Sequence, residues 1–489
     1  MTHTPTPEQA AVIDFITSRK ENLMISALAG AAKTSTLVMA AQSIKGSTLS
    51  IAFNKRIAEE LQARMPHSVE CRTLNSIGHR ALSRFLGRRR IVIKSSKRSD
   101  LLRAAIKELP TKEQGDLWDG FADMSKAISH GVNNGWIPSG NPNWPVGLIS
   151  DAEFYGSLDF EPSDREAELI HKVSTTAIAE ALRGTCDYSD QLLIPTLWPA
   201  SFDPYSTVMV DEVQDLSPLN HAMLKKIVKR NRLIAVGDPR QSIYAFRGAD
   251  TGAMARLRQE FAMEDLPLTI SFRCPQSVIE HVHWHAPAMR WPEWAQPGEV
   301  RTLTEWNADS IPDGAAIICR NNAPLMRTAL RLIRAGRRPH LLGNDIMRGI
   351  IKDLKKFGEP EQTQEANLRA LESFHLTLAA RYRSETFAAD KVACLRIFIE
   401  AAPNLGQAIA RAEHISQMAG PITLLTGHKS KGLEFDHVFF LDEHLVRGGP
   451  QFPDGDEQEC NLRYVIATRA KQSLTYIKSD EWQGEVAAA

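Results

Sequence analysis

Short apolar runs alternate along the chain with stretches whose apolar positions recur every three or four residues. Asn22-Leu-Met-Ile-Ser26, Ser47-Thr-Leu-Ser-Ile-Ala-Phe53, Thr207-Val-Met-Val210 and Leu233-Ile-Ala-Val-Gly237 are too short and too apolar for surface helices and read as buried strands. Asn54 to Met65 places Ile57, Ala58 and Leu61 on one face and reads as a helix. This rhythm predicts parallel-sheet α/β domains. A second α/β unit begins near Leu268 with Thr269-Ile-Ser-Phe-Arg273. It runs through Ala315–Cys319 and resumes at Ile422–Thr426 and His437–Leu441.

Two segments break the rhythm. From roughly 84 to 185 the pattern is helical and irregular, with Trp118, Trp136 and Trp144 and the turn cluster Asn141-Pro-Asn143. Roughly 345 to 420 is a second, shorter helical stretch. The expected organisation is therefore a first α/β domain in 1–83 and 186–267 and a second in 268–344 and 421–489. Mainly helical insertions occupy 84–185 and 345–420. No internal repeat or low-complexity tract is present.

Composition adds limits more than direction. Lys+Arg and Asp+Glu balance at 58 each over 489 residues, so any basic surface must be local. The six cysteines are scattered without a C-x-x-C pair, which argues against zinc or iron–sulfur ligation and fits a reducing compartment. The N-terminus lacks a basic-then-apolar signal and no run approaches a membrane span. A soluble, cytoplasmic protein of bacterial, plasmid or phage origin is expected, without membrane contact.

The chemistry sits in two segments far apart in sequence. Ala27-Leu-Ala-Gly-Ala-Ala-Lys33-Thr34 follows the first strand, and Asp211-Glu212-Val-Gln-Asp215 follows Thr207–Val210. The first suits a phosphate-cradling turn. The N–H groups of Ala29, Gly30, Ala31, Ala32, Lys33, Thr34 and Ser35 and the positive helix end would face the phosphates, with the Lys33 charge on the β/γ oxygens. Thr34 and Asp211 would hold Mg2+, and Glu212 would orient or deprotonate the attacking water. The turn departs from G-x-x-x-x-G-K-[ST], because Ala27 and Ala32 replace both outer glycines and Gly30 alone remains. If Ala32 already has helical dihedrals, the substitution strains nothing, since only positive φ demands glycine.

Other residues carry two readings each. Gln9 could read adenine through its amide, or complete a capping box in Thr6-Pro7-Glu8-Gln9. Gln241 could sense a γ-phosphate or be a polar turn residue. Arg273 and Arg469 each follow an apolar run and could be surface ion pairs. Tyr244, Phe246 and Arg247 form an aromatic–cation cluster suited to single-stranded nucleic acid, or a core turn. The stretch Arg84 to Arg98 contains no acid and reads as a solvated basic face or a strand-binding patch. His281, His283 and His285 alternate, but on a helix only the first and last share a face, so no metal site is expected there.

In order, these segments resemble the UvrD/Rep/PcrA-type helicases of superfamily 1. Gln9 resembles the Q-motif, the turn ending Lys33-Thr34 motif I, and Ala52-Phe-Asn-Lys55 motif Ia. Cys71-Arg-Thr-Leu-Asn-Ser76 resembles T-x-H-S with Asn75 in place of His. Asp211–Asp215 matches D-E-x-Q-D, and Gly237-Asp-Pro-Arg-Gln-Ser-Ile-Tyr-Ala-Phe-Arg-Gly-Ala249 is close to the next signature. Ser271-Phe-Arg-Cys274, Thr426-Gly-His-Lys-Ser-Lys-Gly-Leu-Glu434 and Leu462-Arg-Tyr-Val-Ile-Ala-Thr-Arg-Ala470 resemble motifs IV, V and VI.

The resemblance implies two RecA-like domains that bind ATP between them. Arg273 and Arg469 act in it as arginine fingers, Phe272 stacks on adenine and Glu434 contacts the ribose. Phe53, Asn54, Thr73 and His428 join Tyr244, Phe246 and Arg247 as DNA contacts. It further implies 3′→5′ movement of a monomer on single-stranded DNA and at single-strand/duplex junctions. The short second insertion weakens the expectation of strong unwinding. An ATP-regulated DNA-binding protein and a protein-stripping translocase remain as alternatives. Repair, replication and recombination are all open as settings, and a recruiting protein is not identified.

Overall fold

A computed structural model describes residues 4–87, 90–229, 231–243, 252–452 and 456–483. The chain forms two compact units, Met1–Ala27 with Ala32–Thr269 and Leu28–Ala31 with Ile270–Ala489.

The first unit is built on a six-stranded parallel sheet. Its strands are β1 (Leu23–Ala27), β2 (Thr48–Ala52), β3 (Val69–Thr73), β4 (Thr207–Val210), β5 (Arg232–Gly237) and β6 (Glu264–Leu268). They lie in the order β3-β2-β4-β5-β1-β6. The central strands are buried on both faces, which is why they read as continuous apolar runs. Pro267 is tolerated because β6 is an edge strand. Register aligns Val210 with Ala235 and Ser26 with Gly237, so Ala27, Asp211 and Asp238 leave the sheet at one edge. That edge, the carboxyl end of an open α/β sheet, is where such sheets take ligands.

Between β3 and β4 the chain adds helices Lys97–Lys107, Thr111–Asp119, Phe121–Asn133, Asp151–Gly156 and Asp164–Leu182. The excursion is pinned at its neck by a short parallel ladder, Val92–Ile93 against Thr185–Cys186. Beside the ladder, buried Lys97 contacts Asp190, and Arg98 pairs with Asp187 and with Asp190. This takes Arg84, Lys97 and Arg98 out of the expected basic patch, while Arg90 and Lys94 are exposed and Arg88 and Arg89 lie outside the described residues. Lys97 is 2% exposed, Arg98 is neutralised by two aspartates, and Arg84 pairs with Asp203. The missing acids lie about a hundred residues downstream, where a local charge count cannot see them.

The second unit repeats the architecture with β7 (Glu299–Thr302), β8 (Ala316–Cys319), β9 (Pro339–Leu341), β10 (Ile422–Thr426), β11 (Phe435–Leu441) and β12 (Ala470–Ile477). All pairings are parallel, in the order β9-β10-β8-β11-β12-β7. Helices Asn344–Leu354, Gln364–Arg381, Glu385–Glu400 and Leu405–Gln417 fill the crossover from β9 to β10. They share one core with the sheet, through Leu371, Leu395, Phe398 and Leu405. The architecture is that of two RecA-like α/β domains. Among the described residues no helix is long and apolar enough to cross a membrane, and all six cysteines are free.

Candidate active site

The first unit gathers its acids and the Lys33-Thr34 end of the phosphate turn because β4, β5 and β1 are neighbours. The helix Lys33–Ala41 starts directly after the turn. Thr34 Oγ1 donates to Asp211 Oδ2 at 3.0 Å, and Lys33 Nζ lies 3.7 Å from Glu212 Oε1. Hydroxyl and carboxylate oxygens at this separation make a hard-oxygen donor pair, which fits Mg2+. Burial, together with the Glu212 charge, raises Asp211 to about 6. A cavity of about 220 Å³ opens beside these groups, walled by Thr34, Asp211, Glu212, Phe53 and Arg64.

Glu212 has φ +54, so the chain turns sharply after β4 and the two adjacent acids take different directions. A hydrogen-bonded relay follows. Gln214 Nε2 donates to Glu212 Oε2 at 2.6 Å, and Gln214 Oε1 accepts the Asp238 N–H at 3.1 Å. Gln241 Nε2 donates in turn to Asp238 Oδ2 at 2.7 Å. Asp238 is fully buried, and burial raises its carboxyl above the usual range. The candidate sensor Gln241 is therefore tied to the candidate base Glu212 through two side chains given no role above. Both carried a signal: Gln214 lies within Asp211–Asp215, and Asp238 is an acid ending a buried strand.

The turn itself answers the question of its missing glycines. Ala32 has φ +54 and ψ +39, left-handed and not helical, so its methyl group is strained. The condition for a cost-free alanine is not met. Gly30 also has positive φ, and a Cβ there would sit 2.5 Å from Ser271 Oγ and 2.7 Å from Arg273 Cβ. The Phe272 N–H donates to the Gly30 carbonyl at 2.9 Å. Glycine persists where backbone approaches backbone and is dispensable at Ala27, a fully buried strand residue.

Gln9 does form the capping box: its Oε1 accepts from Thr6 N–H, while Nε2 donates to Thr36 Oγ1. One N–H and one lone pair of the amide are then left for a ligand. Ser35 Oγ accepts from Arg64 Nη2 at 3.2 Å.

In the second unit Arg273, Glu434 and Arg469 come together. Arg273 Nε and Nη2 reach Glu434 Oε1 at 2.7 and 2.5 Å. Arg469 is 1% exposed and donates to the carbonyls of Val465 and Leu433 and to Thr468 Oγ1. Its pKa falls to about 10, from burial first and the Arg273 charge second. Ala29 N–H donates to Tyr464 Oη at 2.9 Å, a contact the sequence did not suggest. Phe272 stacks beside Trp294, with centroids 6.1 Å apart at 29°.

The candidate DNA residues are scattered over both units. Phe53 is 64% exposed just beyond β2. Asn54 and Thr73 cap the helices after β2 and β3, and Asn75 donates to the Tyr188 carbonyl at 2.7 Å. His428 is half-buried in a short helix, Gly427–Ser430. Tyr244, Phe246 and Arg247 lie outside the described residues. His281, His283 and His285 bond separately to Tyr476, the Met289 carbonyl and Asn461. No metal-ligating cluster of His, Cys, Asp or Glu occurs among the described residues.

Residues 178–262 match the UvrD/REP helicase N-terminal domain, and residues 338–481 match the UvrD-like helicase C-terminal domain. These matches support a UvrD/Rep-type superfamily 1 helicase. It is similar to F-box DNA helicase 1 of Gallus gallus, at 26% identity over 97% of this chain and 49% of that protein. F-box DNA helicase protein 1 of Schizosaccharomyces pombe is 24% identical over 96% of this chain and 57% of its own length. A probable DNA helicase II homologue of Mycoplasma genitalium is 24% identical over 47% and 35%. The chain thus spans about half the length of the first two relatives. The family match embraces the strand carrying Asp211 and Glu212 and the segment carrying Glu434 and Arg469.

Proposed function

We propose that this UvrD/Rep-type chain is an ATP-dependent motor that moves 3′→5′ on single-stranded DNA and separates strands at junctions. The observation that carries the reading is the pair of contacts Thr34–Asp211 and Lys33–Glu212 at one sheet edge. Thr34 and Asp211 would hold Mg2+, which when bound would neutralise phosphate charge. Lys33 adds a fixed positive charge there, and the N–H groups of Gly30, Ala32, Lys33, Thr34 and Ser35 orient the phosphates, those of Ala29 and Ala31 being taken by Tyr464 Oη and the Leu28 carbonyl. Glu212, held by Gln214, positions the attacking water and draws off its proton. Gln241 reads the γ-phosphate and is tied to Glu212 through Asp238 and Gln214.

Arg273 and Arg469 stabilise transition-state charge, Arg273 giving up its pair with Glu434, which then takes the ribose hydroxyl. Gln9 and Phe272 bind adenine. Phe53, Asn54, Thr73, His428, Tyr244, Phe246 and Arg247 hold the DNA strand.

Steady-state ATP hydrolysis with and without single-stranded DNA tests this, with Lys33→Ala and Glu212→Gln as controls. DNA-stimulated turnover lost in both variants is the expected outcome. The left-handed Ala32 favours a second reading, an ATP-regulated DNA-binding protein with little turnover. Intact DNA binding with negligible hydrolysis would select it. Displacement of a bound protein without unwinding of a forked duplex would select a stripping translocase instead.

A further inference from the structure

Between Asp313 and Asp345 the chain carries six arginines and no acid. Two are consumed by the fold: Arg320 pairs with Glu459, and Arg337 holds Asp313 and the carbonyls of Ala308 and Ile311. The other four form a file. Arg327, Arg331 and Arg334 lie at i, i+4 and i+7 on the helix Asn322–Arg334, and Arg338 follows the turn at Gly336. Arg327, Arg334 and Arg338 are exposed. Among the described residues neither Arg327 nor Arg334 has an ion-pair partner, and Arg338 donates only to the Ala419 carbonyl.

The local energetics make this file a poor device for stability. Like charges at i, i+4 destabilise a helix. Elsewhere the chain pairs such positions with opposite charges, as in Lys55–Glu59, Arg56–Glu60 and Arg369–Glu365. The helix dipole favours Arg331 and Arg334 near the carboxyl end but offers nothing to Arg327, two turns earlier. An arrangement that opposes its own helix in an otherwise charge-balanced chain indicates an external anion.

We infer that Arg327, Arg331, Arg334 and Arg338 form a contact surface for the phosphate backbone of duplex DNA, apart from the residues proposed to hold the single strand. From Arg327 to Arg334 the helix advances about 10 Å at about 1.5 Å per residue. That span lets the guanidinium groups meet successive phosphates of one strand. Single-strand surfaces add aromatic platforms; here Trp482 is half-buried under the Arg331 guanidinium, 5.7 Å from its centroid. With Trp482 covered and Arg331 braced by the Ser479 carbonyl, the file offers charge along a helix, which suits a sequence-independent duplex contact.

The inference rests on the chain acting on DNA, and its test separates the two. Affinity for a blunt duplex and for single-stranded DNA is measured by fluorescence anisotropy from low to high KCl. The full chain is compared with Arg327→Ala/Arg334→Ala/Arg338→Ala and with the matching triple Lys variant. The alanine variant is expected to lose duplex affinity and about 2–3 units of salt slope, at about 0.9 per phosphate contact. The lysine variant should retain most of both. Single-strand affinity and ATP turnover at saturating single-stranded DNA should stay within twofold of the parent. Unchanged duplex affinity and slope in the alanine variant would overturn the contact surface alone, whereas a parent that binds no DNA would overturn the proposed function with it.

Discussion

Gln214 donates its amide N–H to the Glu212 carboxylate at 2.6 Å while its carbonyl accepts the Asp238 N–H. The glutamine thus fixes the rotamer of the group proposed to activate water. Its own space is set by Gly237, where a Cβ would lie 2.5 Å from Gln214 Oε1. Removing such a positioning partner costs about 10–100-fold in activity at comparable sites. Gln214→Leu should therefore lower kcat by that factor and leave the KM for ATP nearly unchanged. Gly237→Ala should reproduce the effect by displacing the same side chain. A matched rise in KM would assign Gln214 to nucleotide binding instead.

Gly30→Ala should be far more damaging than its single methyl group suggests. The residue has φ +75, and the new Cβ would fall within 2.7 Å of both Ser271 Oγ and Arg273 Cβ. Overpacking of about 1–3 kcal/mol adds to left-handed strain of about 1–2 kcal/mol. Urea denaturation should show a lowered midpoint, and ATP hydrolysis should fall with it. A variant as stable as the parent would mean that residues 271–273 yield at little cost.

Ala32→Gly runs the other way. Left-handed alanine costs about 1–2 kcal/mol, of which glycine returns part by its greater freedom in the unfolded chain. Net stabilisation of up to about 1 kcal/mol is expected in urea, with ATP turnover equal to or above the parent. Lower turnover would show that the alanine methyl group serves the phosphate turn.

How much of this was legible depended on the range of the interaction. Runs such as Thr207–Val210 and Leu233–Gly237 announced a buried parallel sheet because both of their faces are covered. Asp211 and Glu212 could be singled out as candidates because they follow a strand, and Lys33 and Thr34 because they open a helix, each with its chemistry in its residue type. The strand order was not legible, and it alone makes Gln214 and Asp238 partners across 24 residues. Dihedrals were equally hidden: the spacing around Ala32 allows a helical or a left-handed residue. The acids that silence Lys97 and Arg98 lie about ninety residues away, so local charge counting could not separate these two neck residues from the exposed Arg90 and Lys94.

That neck supports a stability prediction. Lys97 is buried against Asp190 and also donates to the carbonyls of Ala177 and Thr185. Lys97→Met leaves a buried carboxylate short of a partner, at a cost of about 3–5 kcal/mol. Lys97→Met/Asp190→Asn removes the lysine and its carboxylate charge together, leaves Arg98 paired with Asp187, and should recover much of the loss. Thermal unfolding of the two variants decides it, and equal losses would trace the damage to packing alone.

Burial of Asp211 would make its proposed hold on Mg2+ pH-dependent, with a sign that can be worked out. Its folded-state pKa is about 6, above the ordinary 3.8, from burial and then the Glu212 charge. Between those values the folded chain holds a proton that the unfolded chain does not, so this group favours folding as pH falls from about 6 to 4. Mg2+ requires the carboxylate, so binding must expel that proton. Affinity should be level above about pH 7 and fall about tenfold per unit well below pH 6. Calorimetric titration of Mg2+ in buffers of different ionisation heat should register proton release near pH 6 and none at pH 8. Asp211→Asn should abolish both the binding and its pH dependence. An affinity constant from pH 5 to 8 would mean that Asp211 is already ionised in its buried site, held so by Lys33 and the Thr34 hydroxyl.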